Sequence, residues 1–214
     1  LADWLADADA VITGWGSPRL TPELLDAAPK LKFIGHAAGT VAPYVDLSAW
    51  DRGITVATAN EAMSPQVAEW AVTSAIMALR QWHIVHPKLQ EQRNWKGGGL
   101  ILKMDTLIGQ SVGVLGLGVI ARYAIPMFNA FGCQVRVTAP ESEEEIAGLG
   151  ATKADLDTML AESRVVSLHA PLNDATRGII GQRELALMPD QAVLVNTARG
   201  GLIDHDALLA ECRT

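Results

Sequence analysis

Cysteine is nearly absent from this chain: two residues in 214, Cys133 and Cys212, with no metal or redox spacing. That excludes a disulfide scaffold and a cysteine-based zinc module, and it suits a reducing compartment. Positive charge is also in deficit. Seventeen Lys and Arg face 24 Asp and Glu, a net charge of −7, so neither a nucleic acid nor a membrane surface is expected as partner. No apolar run approaches the ~18 residues that span a bilayer, and no secretory signal is visible. These absences place the chain in the cytoplasm. The histidines show no metal-ligand spacing, so no metal site is expected. An initiating Met is missing too. Leu1 and Thr214 both fall inside expected helices, so both ends read as cuts in a longer polypeptide. What remains is 49% hydrophobic and 19% charged, enough for one large or two modest domains with proper cores.

The stretch Ser111 to Pro140, SVGVLGLGVIARYAIPMFNAFGCQVRVTAP, organises the rest. Val112 to Leu115 is an apolar run too short for a helix and bounded by glycine, so it reads as a buried strand. The turn Gly116-Leu117-Gly118-Val119-Ile120-Ala121 follows, a G-x-G-x-x-A pattern. Ile120, Ala124, Met127, Phe128 and Phe131 then recur at helical spacing. Gly132 stops that helix, and Gln134 to Thr138 returns as a strand. Together they form a βαβ unit of the dinucleotide-binding kind. Gly116 permits the sharp turn, Gly118 keeps side chains away from a pyrophosphate, and Ala121 lets helix and strand lie close. The helix N-terminus offers N–H groups and partial positive charge to phosphates. The same glycines would also serve a turn that only packs helix on strand; the flanking strands favour the cofactor reading.

One part of that fingerprint is missing. An acid about 20 residues on should take the ribose hydroxyls at the end of the second strand. Ala139 stands there instead, and no arginine follows to meet a 2′-phosphate. Glu141 reads as a solvated loop residue or a displaced substitute. NAD and NADP both stay open.

The remaining chain alternates strand and helix. Leu1 to Ala8 reads as the end of a helix and Ala10 to Thr13 as a strand; Thr21 and Pro22 cap and open a helix. Leu31 to Ile34 and Ile54 to Ala57 read as strands, with Leu47 to Arg52 a helix between them. Ser64 to Arg80, apolar or small on nearly every face, reads as a helix buried between layers or at a subunit contact. Asn94 to Gly99 breaks the pattern and suggests a domain boundary at 97/98. Beyond Pro140, Glu141 to Gly148 is an acidic helix or loop. Asp155 to Ala161, Glu184 to Leu187 and Asp204 to Glu211 read as helices, and Val165 to Leu168 and Ala192 to Val195 as strands. The tryptophans read as core or interface residues. His36, His83, His86 and His205 read as structural or surface residues.

Ligands of open parallel sheets sit outside the carboxyl ends of strands. Two such ends carry chemistry: His169-Ala170-Pro171-Leu172, and Asn196-Thr197-Ala198-Arg199-Gly200-Gly201. Arg199, directly after a buried strand and among small residues, offers a bidentate donor suited to a carboxylate or an α-keto acid. In isolation it would be a solvated cation. His169 reads equally as a cofactor-side residue or a strand cap.

These segments together resemble the D-isomer-specific 2-hydroxyacid dehydrogenases. Residues Ala28 to Gly35 are similar to that family's strand entering the substrate loop, and Gly53-Ile54-Thr55-Val56 and Val67-Ala68-Glu69 follow in order. The glycine turn resembles G-L-G-x-I-G, with Ala121 for the last glycine. The two strand ends above are the most specific matches. The resemblance implies a Rossmann-type doubly wound parallel sheet as cofactor domain, residues 98–214. A second, flavodoxin-like α/β substrate domain spans residues 1–97, and each domain has part of itself outside the chain.

The implied activity is an NAD- or NADP-dependent oxidoreductase. It moves a hydride between the nicotinamide and a small D-2-hydroxy or 2-keto acid, in a homodimer paired around Ser64 to Trp82. The resemblance assigns the pyrophosphate to Gly116, Gly118, Val119 and Ile120, and the ribose position to Ala139. His169, Ala170, Pro171, Thr197, Ala198 and Arg199 line the cofactor's remaining side. Arg199 also holds the substrate's carboxylate and carbonyl. The backbone of Ala38, Gly39 and Thr40 meets the carboxylate, although the family's G-x-G-x-D loop is altered here to Ala38-Gly39-Thr40-Val41-Ala42-Pro43-Tyr44. The family's proton-transferring histidine and its glutamate fall past Thr214. A non-enzymatic, corepressor-like dinucleotide sensor of the same fold is the alternative reading.

Overall fold

The computed structural model describes residues 1–93 and 104–212, and contacts divide it into two units, Leu1–Ser64 and Pro65–Thr214. The first is built on three parallel strands, β1 (Ala10–Thr13), β2 (Phe33–His36) and β3 (Thr55–Thr58), in that order. Pairing is level, beginning at Ala10, Phe33 and Thr55 and ending at Thr13, His36 and Thr58. β2 starts two residues later than the apolar run suggests, because Leu31 is a core residue ahead of the pairing. Helices α1 (Ala2–Leu5), α2 (Pro22–Asp26) and α3 (Ser48–Asp51) contribute Leu5, Leu25 and Ala49 to one core with Leu20, Ile34, Val45 and Ile54. At ~2 kcal/mol for each large aliphatic side chain buried, this cluster is the unit's main support. Thr21 caps α2, its hydroxyl accepting from Leu24 N, with Pro22 opening the helix. The other sheet face is open: Ile12 is 71% exposed.

A long helix, α4 (Asn60–Leu79), crosses the division, and α5 (Trp82–Gln92) follows it. The second unit holds five parallel strands in the order β6-β5-β4-β7-β8. They are β4 (Ser111–Leu115), β5 (Gln134–Thr138), β6 (Thr152–Lys153), β7 (Val165–Leu168) and β8 (Val193–Asn196). The chain steps outward from β4 to β5 and β6, then returns to the other side of β4 for β7 and β8. Strand order therefore reverses between β4 and β7, the point where such sheets bind ligands. Both faces are covered. On one, α4 and α6 (Val119–Ala130) lay Ala68, Ala71, Ala75, Ala124, Ile125 and Phe128 on Val112, Val114, Val135 and Val137. On the other, α8 (Leu156–Ala161) and α9 (Gln182–Leu187) bring Met159, Leu160 and Leu185 against Leu115, Val166 and Leu168. Double coverage is why these strands read as unbroken apolar runs. The short α7 (Glu143–Gly148) and α10 (His205–Glu211) begin at side-chain caps, Ser142 and Asp204.

Several expectations need correcting. α4 begins at Asn60 rather than Ser64, and it is not buried on all sides. Ala68, Ala71, Val72, Ala75 and Leu79 face the core, whereas Gln66, Thr73 and Met77 are exposed and Trp70 is 62% exposed. Trp4, Trp15, Trp50 and Trp82 are exposed as well, so none of these five tryptophans is a core residue. The layers are spaced by alanine and valine, and an indole does not fit between them. α5 has no counterpart in the sequence pattern: it starts and stops at left-handed residues, Gln81 and Arg93, and contains Pro87. The 97/98 boundary and Trp95 lie outside the described residues. Contacts divide the chain at Ser64/Pro65 because the buried face of α4 belongs to the second unit's core.

Candidate functional site

Register alone assembles the main candidate site. Leu115 is level with Thr138 and with Leu168, and Leu168 with Asn196. The next residue on each strand, Gly116, Ala139, His169 and Thr197, therefore stands in one row along the sheet's carboxyl edge. With strands ~4.8 Å apart, that row is about 14 Å long.

Two glycines of the turn after β4 differ in kind. Gly116 has φ +88, and a Cβ there would stand 2.7 Å from both Cα and N of Ala170, so turn and packing each demand glycine. Gly118 has φ −70 and ψ −177, ordinary extended backbone, and the nearest atom to a Cβ would be His169 O at 3.9 Å. Among the described residues nothing requires glycine at Gly118. The space it leaves lies at the start of α6, where no side chain caps the helix and the first turn carries no acid. An uncapped N-terminus of a three-turn helix favours an anion. Val119 and Ile120 form that first turn, and Ala121 is fully buried against the strands.

His169 ends β7's side of the row. It is 8% exposed, its Nε2 lies 2.9 Å from Ser167 Oγ, and its Nδ1 is buried with no partner among the described residues. Burial pushes its pKa down to about 4, so the imidazole is neutral at pH 7. His169 N donates to Leu115 O, and Ala170 fills the space beside Gly116. Pro171 is exposed, with its carbonyl accepting from Thr176 Oγ1.

Beyond β8, Asn196 ties down the turn: Ala198 N donates to its Oδ1 and its Nδ2 donates to Arg199 O, both at 3.0 Å. Thr197 Oγ1 is buried without a partner among the described residues. Arg199 is exposed, in extended backbone, and its Nη1 donates to Ala198 O at 2.7 Å. Two orphaned polar atoms, His169 Nδ1 and Thr197 Oγ1, thus sit on neighbouring strand ends. Orphans of this kind are rare unless something polar completes them. Together with the open Cβ position at Gly118, they fit a polar dinucleotide lying along the row.

Ala139 is partly buried against the core. Glu141 is not the solvated loop residue the sequence suggests. It is half-buried, with Oε2 enclosed and unpartnered among the described residues, while its carbonyl accepts from Lys153 Nζ.

Ala38, Gly39 and Thr40 belong to the first unit, beyond the end of β2. Ala38 is buried, and a Cβ on Gly39 would stand 3.3 Å from Asn60 Oδ1 at the start of α4. His36 is fully buried beneath this turn, whereas His83, His86 and His205 are exposed. Among the described residues no group of three His, Cys, Asp or Glu side chains could hold a metal. The sequence pattern gives Ser167 no role and places Asn196 in the second strand-end motif without one of its own, though both leave a signal. Ser167 and His169 are two apart on one strand face, and Asn196 opens a turn as a strand-end asparagine often does.

A family model, the NAD binding domain of D-isomer specific 2-hydroxyacid dehydrogenase, matches residues 72–214. Hydroxypyruvate reductase of Thermotoga maritima is 34% identical over 195 residues, covering 90% of this chain and 61% of its own. D-3-phosphoglycerate dehydrogenase of Methanocaldococcus jannaschii is 33% identical, with 97% and 39% covered. The solved structure of D-2-hydroxyisocaproate dehydrogenase superposes with a TM-score of 0.86 at 27% identity, covering 99% of this chain and 64% of the other. The chain thus spans less than two thirds of the length of these relatives.

Proposed function

The chain belongs to the D-isomer-specific 2-hydroxyacid dehydrogenase family, and from that premise we propose that the whole protein interconverts a small D-2-hydroxy acid and its 2-keto acid with NAD or NADP. The observation that carries this reading is the row Gly116, Ala139, His169 and Thr197, with open space at Gly118 beside an uncapped helix start.

The protein's own groups divide the work. Gly118, Val119 and Ile120 present backbone N–H groups and the helix's positive end to the pyrophosphate, while Gly116, whose own N–H donates to Thr138 O, makes the turn that places them. His169, Ala170 and Pro171 on one strand end, and Thr197 and Ala198 on the next, bound the rest of the cofactor. His169 does so as a neutral ring that puts no charge beside it. A bound nicotinamide dinucleotide supplies the hydride carrier. Arg199 orients the acid through its carboxylate and carbonyl, for which a planar, always-charged fork is better suited than an ammonium. In the first unit, the backbone N–H groups of Ala38, Gly39 and Thr40 form the carboxylate-binding turn that the family membership implies. On this reading residues 1–97 belong to the substrate domain and residues 98–214 to the cofactor domain.

The protein acts in the cytoplasm as a homodimer. Among the described residues no helix is long and apolar enough to cross a membrane. α4 carries Trp70, 62% exposed, and a groove of about 520 Å³ is lined by the polar Gln66, Glu69 and Thr73 together with Val72, Ile76, Met127 and Phe131, a mixed surface that this reading assigns to a second copy. Nicotinamide absorbance, followed with a panel of 2-keto acids and both dinucleotides, tests the reading. Turnover of at least one acid is expected; no turnover with either dinucleotide would overturn it.

A further inference from the structure

Three side chains of the first unit meet where β1 and β2 end. His36, the last residue of β2, is 1% exposed, and its Nδ1 lies 2.9 Å from Oγ1 of Thr13, the level residue of β1. Its ring stacks on Tyr44, with centroids 4.7 Å apart and planes at 28°. Its Nε2 is buried and has no hydrogen-bond partner among the described residues. Only residues 37–43 separate the two stacked rings, and that segment contains Ala38, Gly39 and Thr40.

An enclosed nitrogen without a partner is a cost that phenylalanine would not incur, and phenylalanine would stack on Tyr44 equally well. Stacking therefore does not account for a histidine here. What histidine adds is the bond from Nδ1 to Thr13, which fixes the ring's rotation and so the place where Tyr44 can lie on it. The segment between the rings is fastened from its other side. Ala59 N, just past β3, donates to His36 O at 3.0 Å and to Ala38 O at 3.1 Å. Tyr44 N donates to Val41 O at 2.8 Å. The turn is closed at its base by the ring pair and held along its length by the backbone.

We propose that His36 is a positioning residue, which, held by Thr13 and stacked on Tyr44, sets the conformation of the 38–40 turn. It thereby sets how tightly, and how selectively, that turn takes the carboxylate of a small 2-keto acid. The inference rests on the acid-binding reading of the turn given above. His36 is too deeply buried to touch the acid, so its influence runs through the turn.

The test uses the whole protein. Thr13→Val and His36→Phe each remove the Nδ1 bond, and His36→Phe keeps the stack. His36→Asn restores a polar atom near the position of Nδ1. In both bond-deleting variants KM for the preferred acid should rise about tenfold, equivalent to about 1.4 kcal/mol. The ratio of kcat/KM between a linear and a branched acid should change, while kcat and dinucleotide affinity by calorimetry stay near wild type. His36→Asn should recover part of the KM. Unchanged KM and selectivity in a Thr13→Val protein that melts like wild type would overturn the proposal. So would a fall in melting temperature and kcat with KM unmoved, the signature of a merely structural histidine. A wild type that binds dinucleotide and turns over no acid removes the acid-binding reading itself, and this inference with it.

Discussion

Gly116 and Gly118 stand two residues apart in one turn, yet their replacement should fail in opposite ways. Gly116→Ala meets two penalties. A left-handed conformation costs an L-residue ~1–2 kcal/mol, and φ is +88 here. The new Cβ would also stand 2.7 Å from Cα and N of Ala170, backbone that can yield only by moving the end of β7. Forced overpacking of this kind costs ~1–3 kcal/mol. The sum, about 2–5 kcal/mol, is a large part of the ~5–15 kcal/mol that holds a typical domain together. Gly118→Val meets neither penalty, since φ is −70 and the nearest atom lies 3.9 Å from the new Cβ. Its cost is about 1 kcal/mol, for a branched residue at the start of α6. Its effect should fall on the ligand instead, because the side chain fills the space the pyrophosphate needs. Dinucleotide affinity should drop at least about a hundredfold, roughly 2.7 kcal/mol. Urea unfolding of both variants and calorimetric titration of NAD and NADP into Gly118→Val give the comparison. Equal destabilisation by the two changes would refute the open space at Gly118. Unchanged affinity in Gly118→Val would refute the approach of phosphates to it.

The other predictions concern single side chains. Arg199→Ala should lower kcat/KM for the preferred acid about a hundredfold or more, some 3 kcal/mol of lost charge-assisted bonding; an activity within a few-fold of wild type would rule out its substrate role. His169 is buried neutral, its pKa lowered from 6.5 to about 4, so the stability it permits is complete above pH 6.5 and is lost as pH falls toward 4. The loss is up to about 3 kcal/mol, and His169→Gln should flatten that part of the stability–pH curve measured by denaturation. Wild type should bind NAD and NADP with similar affinity, and Ala139→Asp should shift preference toward NAD by repelling the 2′-phosphate. A wild-type preference for NAD above about a hundredfold, roughly 2.7 kcal/mol, that Glu141→Gln abolishes would mean that Glu141 already reads the ribose. Trp70→Glu should convert a dimer to a monomer in light scattering at micromolar concentration, and a wild type that is already monomeric would remove the dimer surface on α4.

The sequence by itself determined the elements whose physics is local. Runs such as Val165 to Leu168 and Gln134 to Thr138 are strands because short runs rich in β-branched and apolar residues favour extended backbone, and both keep those bounds in the structure. Thr21 and Asp204 cap helices as their side chains dictate. The glycine turn and the strand ends at His169 and Arg199 were legible for the same reason: short range chemistry marks them. Elements with weak local signals were not. β6 is two exposed residues, Thr152 and Lys153, made a strand only by pairing with β5. α5 forms despite Pro87 and without a side-chain cap, and the tryptophans lie outside because the layers close too tightly on alanine to admit them.

Level alignment of Gly116, Ala139, His169 and Thr197 is a property of four strands at once, and no segment carries it. Whether a glycine is needed by the protein or only by a ligand depends on which atoms surround its missing Cβ. Ala170 crowds Gly116 from 54 residues further along the chain, and nothing among the described residues crowds Gly118. The same is true of His36, whose partners Thr13 and Tyr44 come from separate segments. Its burial, its hydrogen bond and its unmatched nitrogen exist only once β1, β2 and the turn after them are side by side, since desolvation and stacking are decided by neighbours in space.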